Sequence, residues 1–561
     1  MKSRTSYSKL TAFRKDITRF APLWALYFIG GVLAMLSIVS DSGAGYAAMS
    51  LNDTIGPFSV INLIYAAMVA QLLFGDLFNS RLCNAVHAMP LRREHWFLSH
   101  VAAGLCFSLV PNFLGVIWTV FRLGNCWFAA FVWLLGMTLE YLFFFGLAVF
   151  SCMCTGNRFA MAAVYAIINF IAPLANWFLK AVYEPMLYSV TIDSDAFRRF
   201  CPVVQMASDS DYMIFNRVEL PQNAVTSDRY TYEYGGLGGG WLYLVIAALI
   251  GAALLGAALL MYRRRALESA GDFMAVAPLK PVFSLIYTLC AGALFALFGE
   301  LVAESYVVFL FIGLAVGYFT GQMLLQRAVK IFKPKAFAKF AVIAVVMAAS
   351  LLLTKADVFG ITRWSPSPDS VKSIIIGNNY YGRDALTYTD KAQIEELIDI
   401  QQELIQLGEA QNGQDSVYLK FRFQMKDGRE VVRTYCAPWQ ESYCTPLREI
   451  LSDPESVLGY SDVDPLLADL NIIYLEGYQI EDPELQRELM EAVFADFAEG
   501  NMAQLGSLYP EETYYAYSME LECTNSGSYY RYYSLVAYSE AVHTVQWIED
   551  HLESLGIEAY N

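Results

Sequence analysis

Nine apolar runs dominate the first two thirds of the chain. They cover residues 21–40, 57–74, 96–120, 127–150, 160–179, 241–262, 282–299, 306–326 and 338–354. A helix that crosses a bilayer needs roughly 17–25 apolar residues, so the pattern predicts about nine transmembrane helices. The run at 338–354 is the weakest. If it lay flat or re-entered the membrane, everything after it would change sides.

After residue 354 the pattern changes to short alternating and amphipathic segments. The first series of segments is strand 370–377, helix 389–406, hairpin 417–435 around Asp427-Gly428 and a helix from 446. A similar series follows it. That series is strand 471–475, helix 483–497, strands 514–522 and 529–538, and helix 539–555. The order predicts an α+β domain made of a duplicated β-α-β-β-α unit. The alternative is a chance similarity between two amphipathic helices, 389–404 and 481–496.

Charge separates the same two regions. The whole chain has 38 Lys and Arg, 54 Asp and Glu, a net charge of −16 and 56% hydrophobic residues. Residues 355–561 carry 13 basic and 36 acidic side chains, a net of −23, which leaves 25 and 18, a net of +7, for residues 1–354. The average therefore describes neither region, and the composition indicates an integral membrane protein with one acidic soluble domain.

Basic residues in the short loops predict the orientation. Segments 1–19, 75–95, 151–159, 263–281 and 327–337 carry 18 Lys and Arg, whereas the alternate loops 41–56, 121–126 and 300–305 carry only Arg122. Because cytoplasmic loops are enriched in Lys and Arg, we expect a multi-pass plasma-membrane protein with a cytoplasmic N-terminus. Nine spans would then place 355–561 outside the cell.

The sequence before the acidic domain is predicted to contain three parts. Residues 1–19 read as an amphipathic interfacial helix, with Phe13 and Ile17 on one side and Arg14, Lys15 and Arg19 elsewhere; a plain basic topology signal is the alternative. Residues 20–265 form a six-span core with an external segment at 180–240. Residues 266–354 add three spans.

The sequence contains no recognisable catalytic motif. It lacks the phosphate-binding G-x-x-x-x-G-K-[ST] pattern and a zinc pattern, so we predict no enzyme activity, no bound metal or cofactor and no nucleic-acid partner. Cys436 and Cys444 flank a short loop and either form a disulfide or remain free thiols.

Glu140 stands in the middle of the apolar run 127–150. A carboxylate at that depth costs roughly 2.5–3.5 kcal/mol on insertion scales, so it needs a partner or a polar cavity. Asn62, Asn112 and Asn169 on neighbouring spans are the candidate partners. A structural hydrogen bond and a role in a transport path are both open.

The inner loop 75–100 mixes charged and apolar residues around Pro90. It predicts a short helix, a break and the start of the third span, which together would form a docking surface; an ordinary turn is the alternative. Its stretch AMPLRREHWFLSH, 88–100, resembles the segment between the second and third spans of ABC transporter permeases of the type-2 exporter class. Segments 143–157 and 263–281 are also similar to permeases of this class from Firmicutes. The three additional spans and the acidic end resemble a Gram-positive subgroup in which a C-terminal domain of unknown function is fused to the permease.

The resemblance implies a function. Two permease subunits and two separate ATPase subunits form the exporter, and the ATPase docks on the loop containing Pro90, Arg92, Arg93 and Glu94. ATP and Mg²⁺ are bound by the partner subunit, and substrate moves outward for efflux. The alternative is a membrane-anchored extracellular sensor, ligand-binding protein or scaffold that does not transport.

Overall fold

The computed structural model describes most of the chain as two compact units. The described residues are 9–38, 51, 54–89, 91–123, 127–192, 197, 200–208, 215–219, 230–237, 240–265, 267–303, 305–377, 386–411, 414–525 and 529–555. The first unit holds most residues up to Met347. The second combines the described residues of Tyr183–Asp193 with those of Ala348–Asn561.

Helices form the first unit, and two of them run on into the second. In chain order they are α1 (Lys9–Arg19), α2 (Ala21–Ile38), α3 (Ile55–Leu73), α4 (Ser80–His87), α5 (Arg93–Leu123), α6 (Trp127–Cys154), α7 (Arg158–Tyr183), α8 (Pro202–Ser208), α9 (Trp241–Arg264), α10 (Leu279–Ala303), α11 (Tyr306–Gln326) and α12 (Pro334–Lys355). An antiparallel hairpin of β1 (Phe215–Glu219) and β2 (Tyr230–Leu237) lies between α8 and α9 in the chain.

Eight of the described helices are long and apolar enough to cross a membrane. They are α3, α5, α6, α7, α9, α10, α11 and α12, and they correspond to the second through ninth predicted spans. The prediction of a polytopic helical membrane protein is therefore confirmed. The first predicted span corresponds to α2, an apolar helix of 18 residues, of which Ala21–Gly31 are fully described.

Two glycines allow α6 and α9 to pack closely. A methyl group added at Gly146 would lie 2.3 Å from the carbonyl oxygen of Gly251, and one added at Gly251 would lie 2.6 Å from the carbonyl oxygen of Leu142. Helices in membranes pack through small residues in this way, because lipid offers no hydrophobic force to drive them together. A larger side chain at either glycine would push the two helices apart.

Two small antiparallel sheets build the acidic region. The first repeat comprises β3 (Val371–Ile376), β4 (Leu386–Tyr388), α13 (Lys391–Leu407), β5 (Ser416–Met425), β6 (Glu430–Pro438) and α14 (Glu441–Leu451). Short helices α15 (Pro454–Leu458) and α16 (Val463–Asp469) precede the second repeat, which comprises β7 (Leu470–Leu475), β8 (Tyr478–Ile480), α17 (Pro483–Ala498), β9 (Tyr515–Asn525), β10 (Tyr529–Tyr538) and α18 (Val542–Leu555). The strand orders are β4-β3-β5-β6 and β8-β7-β9-β10.

The two sheets have the same order and the same antiparallel pairing, which supports the predicted duplication. Asp390 and Asp482, 92 positions apart, both cap the first turn of their helix through a side-chain oxygen. Gly408 and Gly500, also 92 positions apart, follow the same helices at φ of +75° and +77°. The two units therefore resemble each other in strand order and at both ends of the first helix.

The predicted element order needs one correction. Each repeat is β-β-α-β-β-α, because a short second strand, β4 or β8, pairs with the first one. Each of these strands has only three residues, too few for a visible alternation of apolar and polar positions. Helix α14 also begins earlier than the predicted start at 446, at Glu441, and includes Pro446.

A segment that follows α7 joins the first sheet. Val190 forms an antiparallel bridge with Arg433 on β6, and the Thr434 N–H donates to the Ser189 carbonyl at 3.0 Å. The Thr191 hydroxyl lies 2.8 Å from that of Thr434. Residues 183–192, which we call the strap, therefore cover the outer edge of β6.

Candidate functional site

Glu140 lies at the centre of a buried polar network in the first unit. Its side chain on α6 is fully buried, and Asn62 on α3 donates its Nδ2 to Oε1 at 3.1 Å. Tyr27 on α2 donates its hydroxyl to Asn62 Oδ1 at 2.8 Å. Three helices are thus connected through one carboxylate and one amide.

The second carboxylate oxygen of Glu140 has no hydrogen-bond donor among the described residues. Ser59 lies beside it, but its hydroxyl donates to the Ile55 carbonyl at 3.1 Å. Asn62 and Ser59, the polar side chains beside Glu140, carry no positive charge. A carboxylate charge without a compensating partner costs free energy at this position. The hydrogen bond from the Asn62 amide is therefore important for holding Glu140 there.

Only one of the three predicted asparagine partners contacts Glu140. Asn62 does so, whereas Asn112 donates to Ser108 Oγ at 3.2 Å on its own helix. Asn169 donates to the Tyr165 carbonyl at 2.9 Å, one turn back on α7. The sequence placed three amides at suitable depths, but the rotation of each helix decides which of them faces Glu140.

Tyrosines complete this network, and their part in it was not predicted from the sequence. The Tyr27 and Tyr65 rings stack with centroids 4.2 Å apart, and the Tyr65 hydroxyl donates to the Phe107 carbonyl at 3.1 Å. Tyr141 donates to the Gly104 carbonyl at 3.0 Å. A tyrosine within an apolar run could have indicated such a network, because a buried tyrosine hydroxyl normally finds a hydrogen-bond partner.

The inner loop is folded. After a turn at Gly75–Phe78, helix α4 is capped by Asn79, whose side chain accepts from the N–H groups of Arg81 and Leu82. Cys83 is the buried side chain of α4, while Arg81, Leu82, Asn84 and Ala85 are exposed. The predicted short helix is present and presents a mostly exposed face. Pro90 lies outside the described residues.

Two of the three charged residues after Pro90 contact the end of α9. Arg93 donates to the Arg265 carbonyl at 3.0 Å, and Glu94 forms an ion pair with Arg263 at 3.1 Å. Both therefore connect the start of α5 with the end of α9. Arg92 is exposed. The role of these residues in binding a partner stays a prediction, and the structure adds that Arg93 and Glu94 also contact the end of α9.

Arg265 secures the same region, and no sequence pattern marked it. Its guanidinium donates to the carbonyls of Cys152 at 2.7 Å, Met153 at 3.1 Å and Thr155 at 2.7 Å. It also reaches the Leu77 carbonyl at 3.4 Å. A cation there satisfies the last carbonyls of α6 and suits the negative end of that helix. The loop base is therefore tied to two spans.

Helix α1 packs on this region through a buried pair. Asp16 lies 2.7 Å from Nδ1 of His100 on α5, and both side chains are less than a tenth exposed. Ala12 and Asp16 are buried, while Arg14, Lys15 and Arg19 are exposed. The position of this helix at a membrane interface stays a prediction. Burial raises the pKa of nearby Asp76, and the neighbouring His100 and His87 oppose that rise.

One group of potential metal ligands occurs in the second repeat, but its geometry is that of a helix cap. Asp496 is buried and accepts from the N–H groups of His543 at 3.1 Å and Thr544 at 2.7 Å, at the start of α18. His543 and Glu499 lie 3.2 Å apart at the surface. Because Asp496 is already used by the helix, this group gives no support for a metal centre.

Cys436 and Cys444 are separate free thiols in the structure. Cys444 is buried on α14, and burial raises the pKa of its thiol, which makes it less reactive. The predicted alternative of a disulfide is therefore not observed.

An apolar groove of about 290 Å³ lies between α3 and α7 in the first unit. Its walls include Leu63, Met68, Met161 and Phe170, and Gln71 lies at one end.

Comparisons with protein-family models, characterised proteins and solved structures find no match for this chain. The functional argument therefore rests on the residues themselves.

Proposed function

We propose that this chain is the permease subunit of an ABC-type exporter. It would work as one of two permease subunits, identical or different, and a separate ATPase subunit would bind ATP and Mg²⁺ on the inner side. The observation that carries the proposal is the loop between α3 and α5. This loop contains the capped helix α4, which has an exposed face. Hydrogen bonds of Arg93 and Arg265 connect the neighbouring ends of α5, α6 and α9.

This construction suits the transmission of force. A partner that pushes on α4 would act through Arg265 on the end of α6 and through Arg93 and Glu94 on the end of α9. A flexible polar loop would absorb the same displacement. The docking face that we assign is therefore Arg81, Leu82, Ala85 and Arg92, with Arg93 and Glu94 as the connection to the spans.

Chain connectivity supports the proposed orientation. The strap begins where α7 ends and pairs with β6, and α12 leads directly into the same unit. The C-terminal ends of α7 and α12 are thus expected on one side of the membrane. Four candidate spans, α9 to α12, lie between them, and an even number returns the chain to the side it left. Together with the basic loops, this supports an extracellular acidic domain and a plasma-membrane location.

The docking experiment separates partner binding from folding. We expect Arg81→Glu with Arg92→Glu to reduce co-purification of the ATPase encoded with this protein about tenfold, equivalent to about 1.4 kcal/mol. The matched control, Lys333→Glu with Lys335→Glu, reverses two exposed charges in another basic loop and should leave binding unchanged.

The outcomes discriminate between the two functions. Equal binding by the docking variant and the wild type would contradict the assigned face. A wild-type chain that retains no ATPase at all would favour the extracellular sensor or scaffold.

Glu140 offers a second test of the exporter. Glu140→Ala removes the acceptor for Asn62 and should lower ATP hydrolysis by the reconstituted complex several-fold, while Glu140→Gln keeps an acceptor oxygen and should retain more activity. Membrane insertion of both variants should be normal, since translocon scales penalise the native carboxylate more than either replacement. Wild-type hydrolysis in Glu140→Ala would leave Glu140 with a structural role alone.

A further inference from the structure

A turn directly after α12 exposes three apolar side chains. Val358 is 62% exposed, Phe359 76% and Ile361 39%. The surrounding residues 355–561 carry 36 acidic against 13 basic side chains, a net of −23, so the surface of this region is expected to be strongly polar. An apolar tip of this kind in an acidic domain needs a partner.

The turn has a defined shape. The N–H groups of Ala356 and Asp357 continue the hydrogen bonding of α12, to Leu352 at 2.9 Å and Thr354 at 3.0 Å. The Asp357 side chain then accepts from the Ile361 N–H at 2.6 Å, the Thr362 N–H at 3.3 Å and the Thr362 hydroxyl. Asp357 and Gly360 have φ values of +43° and +63°. The tip is therefore held outward by one carboxylate.

Its place in the chain indicates what covers it. Helix α12 ends at Lys355 and is a candidate span, and only 11% of its apolar window is buried inside the protein. The rest of that window is left for lipid. Since the tip starts three residues beyond the span, it lies within a few ångströms of the membrane boundary at ~1.5 Å per helical residue.

Charge supports the same partner. Lys355 and Arg363, both exposed, flank the apolar tip in the sequence, and Arg363 Nε lies 3.9 Å from Asp357 Oδ2. Cationic side chains next to apolar ones are typical of segments that lie in a bilayer interface, with the cations at the phosphate groups and the apolar groups at the acyl boundary.

We propose that residues 355–363 form a membrane anchor, in which Val358, Phe359 and Ile361 enter the lipid interface and Lys355 and Arg363 bind phospholipid headgroups. The anchor keeps the start of the acidic domain at the bilayer surface. This proposal is independent of the exporter function, because it requires only that α12 crosses a membrane.

Photocrosslinking tests the anchor in the full chain. Phe359 or Ile361 is replaced by p-benzoylphenylalanine, and the protein is reconstituted in vesicles of phosphatidylcholine and phosphatidylglycerol in equal parts. Val542, 55% exposed on α18, carries the same replacement as the control. After irradiation, mass spectrometry should find phospholipid adducts at 359 and 361 at a level about tenfold above the control, as expected for side chains placed ~5–10 Å into the interface.

Two results would overturn the proposal. One is the absence of lipid adducts at both positions, and the other is an adduct to protein at 359, from this chain or a second copy. Using two positions keeps the test valid if one replacement disturbs the turn. A further variant, Lys355→Glu with Arg363→Glu, should reduce the fraction of adducts formed with phosphatidylglycerol if the headgroup contact is correct.

Discussion

The two repeats of the acidic domain share a fold but close their outer edges differently. By strand pairing, Ile374 corresponds to Ile473 and Phe423 to Leu521, which makes Thr434 on β6 equivalent to Val536 on β10. The Thr434 N–H donates to the main-chain carbonyl of Ser189 in the strap. The Val536 N–H donates to the side chain of Gln504 at 2.8 Å, and Gln504 Nε2 returns a bond to the Val536 carbonyl at 3.3 Å.

This difference shows that two sheets of the same strand order can protect their outer edges by different means. An edge strand leaves N–H and carbonyl groups unpaired, and each copy must cover them. The second repeat does so with one amide side chain from its own part of the chain. The first repeat uses a segment that lies between two membrane spans. The first repeat is therefore connected to the spans through the strap as well as through α12, and the second repeat has no such strand among the described residues.

The largest expected effect is at a position where the repeats differ inside the fold. Position 404 on α13 is a buried leucine, and its counterpart 92 residues later is Asp496. Asp496→Ala leaves three donors of α18 without their acceptor and should destabilise the second repeat by about 2–4 kcal/mol. Hydrogen exchange in the full chain should show faster exchange in β7 to β10. Leu404→Ala, the control, should affect the first repeat instead.

The strap gives the next largest effect. Ser189 has φ of +67°, which proline cannot adopt and glycine adopts freely. Ser189→Pro should release the strap and raise the exchange rate of the Thr434 N–H about tenfold, or about 1.4 kcal/mol, whereas Ser189→Gly should keep it protected. Equal protection in both variants would show that the strap does not cover this edge. Exchange at Val536 should be unchanged in either case.

A smaller effect is expected at the closure of the second repeat. Gln504→Ala removes two hydrogen bonds from Val536 and should cost about 1 kcal/mol of local stability. Exchange should rise at Val536 and stay constant at Thr434, the reverse of the Ser189→Pro result. A rise at both residues would mean that the two edges are not independent.

The smallest effect is a pH dependence confined to the second repeat. Hydrogen bonding to Glu499 raises the pKa of His543, an exposed residue. A raised pKa in the folded state stabilises the repeat below the ordinary histidine pKa, and this contribution is lost as pH rises through the folded value. Glu499→Gln should reduce that slope above the ordinary histidine pKa, measured by exchange of α18 amides, and the part that remains is due to Asp496, which also raises the pKa of His543. An unchanged slope would assign the dependence to another group.

Local patterns predicted the parts of this fold that short segments decide. The apolar runs gave eight helices close to their expected positions, and the Asp427-Gly428 turn lies between β5 and β6 as predicted. The equivalence of 389–404 and 481–496 holds at both ends of the helices. The short strands β4 and β8 were missed because three residues carry too little periodicity.

The candidate site was less predictable. Glu140 and the inner loop could be identified from their chemistry, since a carboxylate in an apolar run and a charged, apolar loop stand out. The contacts of Arg93 and Glu94 with the end of α9 could not be predicted, because they depend on where α9 ends, some 170 residues later. Arg265 carried no signal beyond its place in a run of three arginines.

The sequence alone determined that this is a polytopic membrane protein, how charge divides between the two regions, where the two similar helices of the acidic region lie, and that a carboxylate stands within an apolar run. These properties depend on composition and on contacts within a few residues. Only the tertiary structure selected Asn62 as the partner of Glu140, turned Arg93 toward α9, and closed the β6 edge with the strap and the β10 edge with Gln504. Those choices join residues from 32 to nearly 250 positions apart, and packing of whole elements decides them.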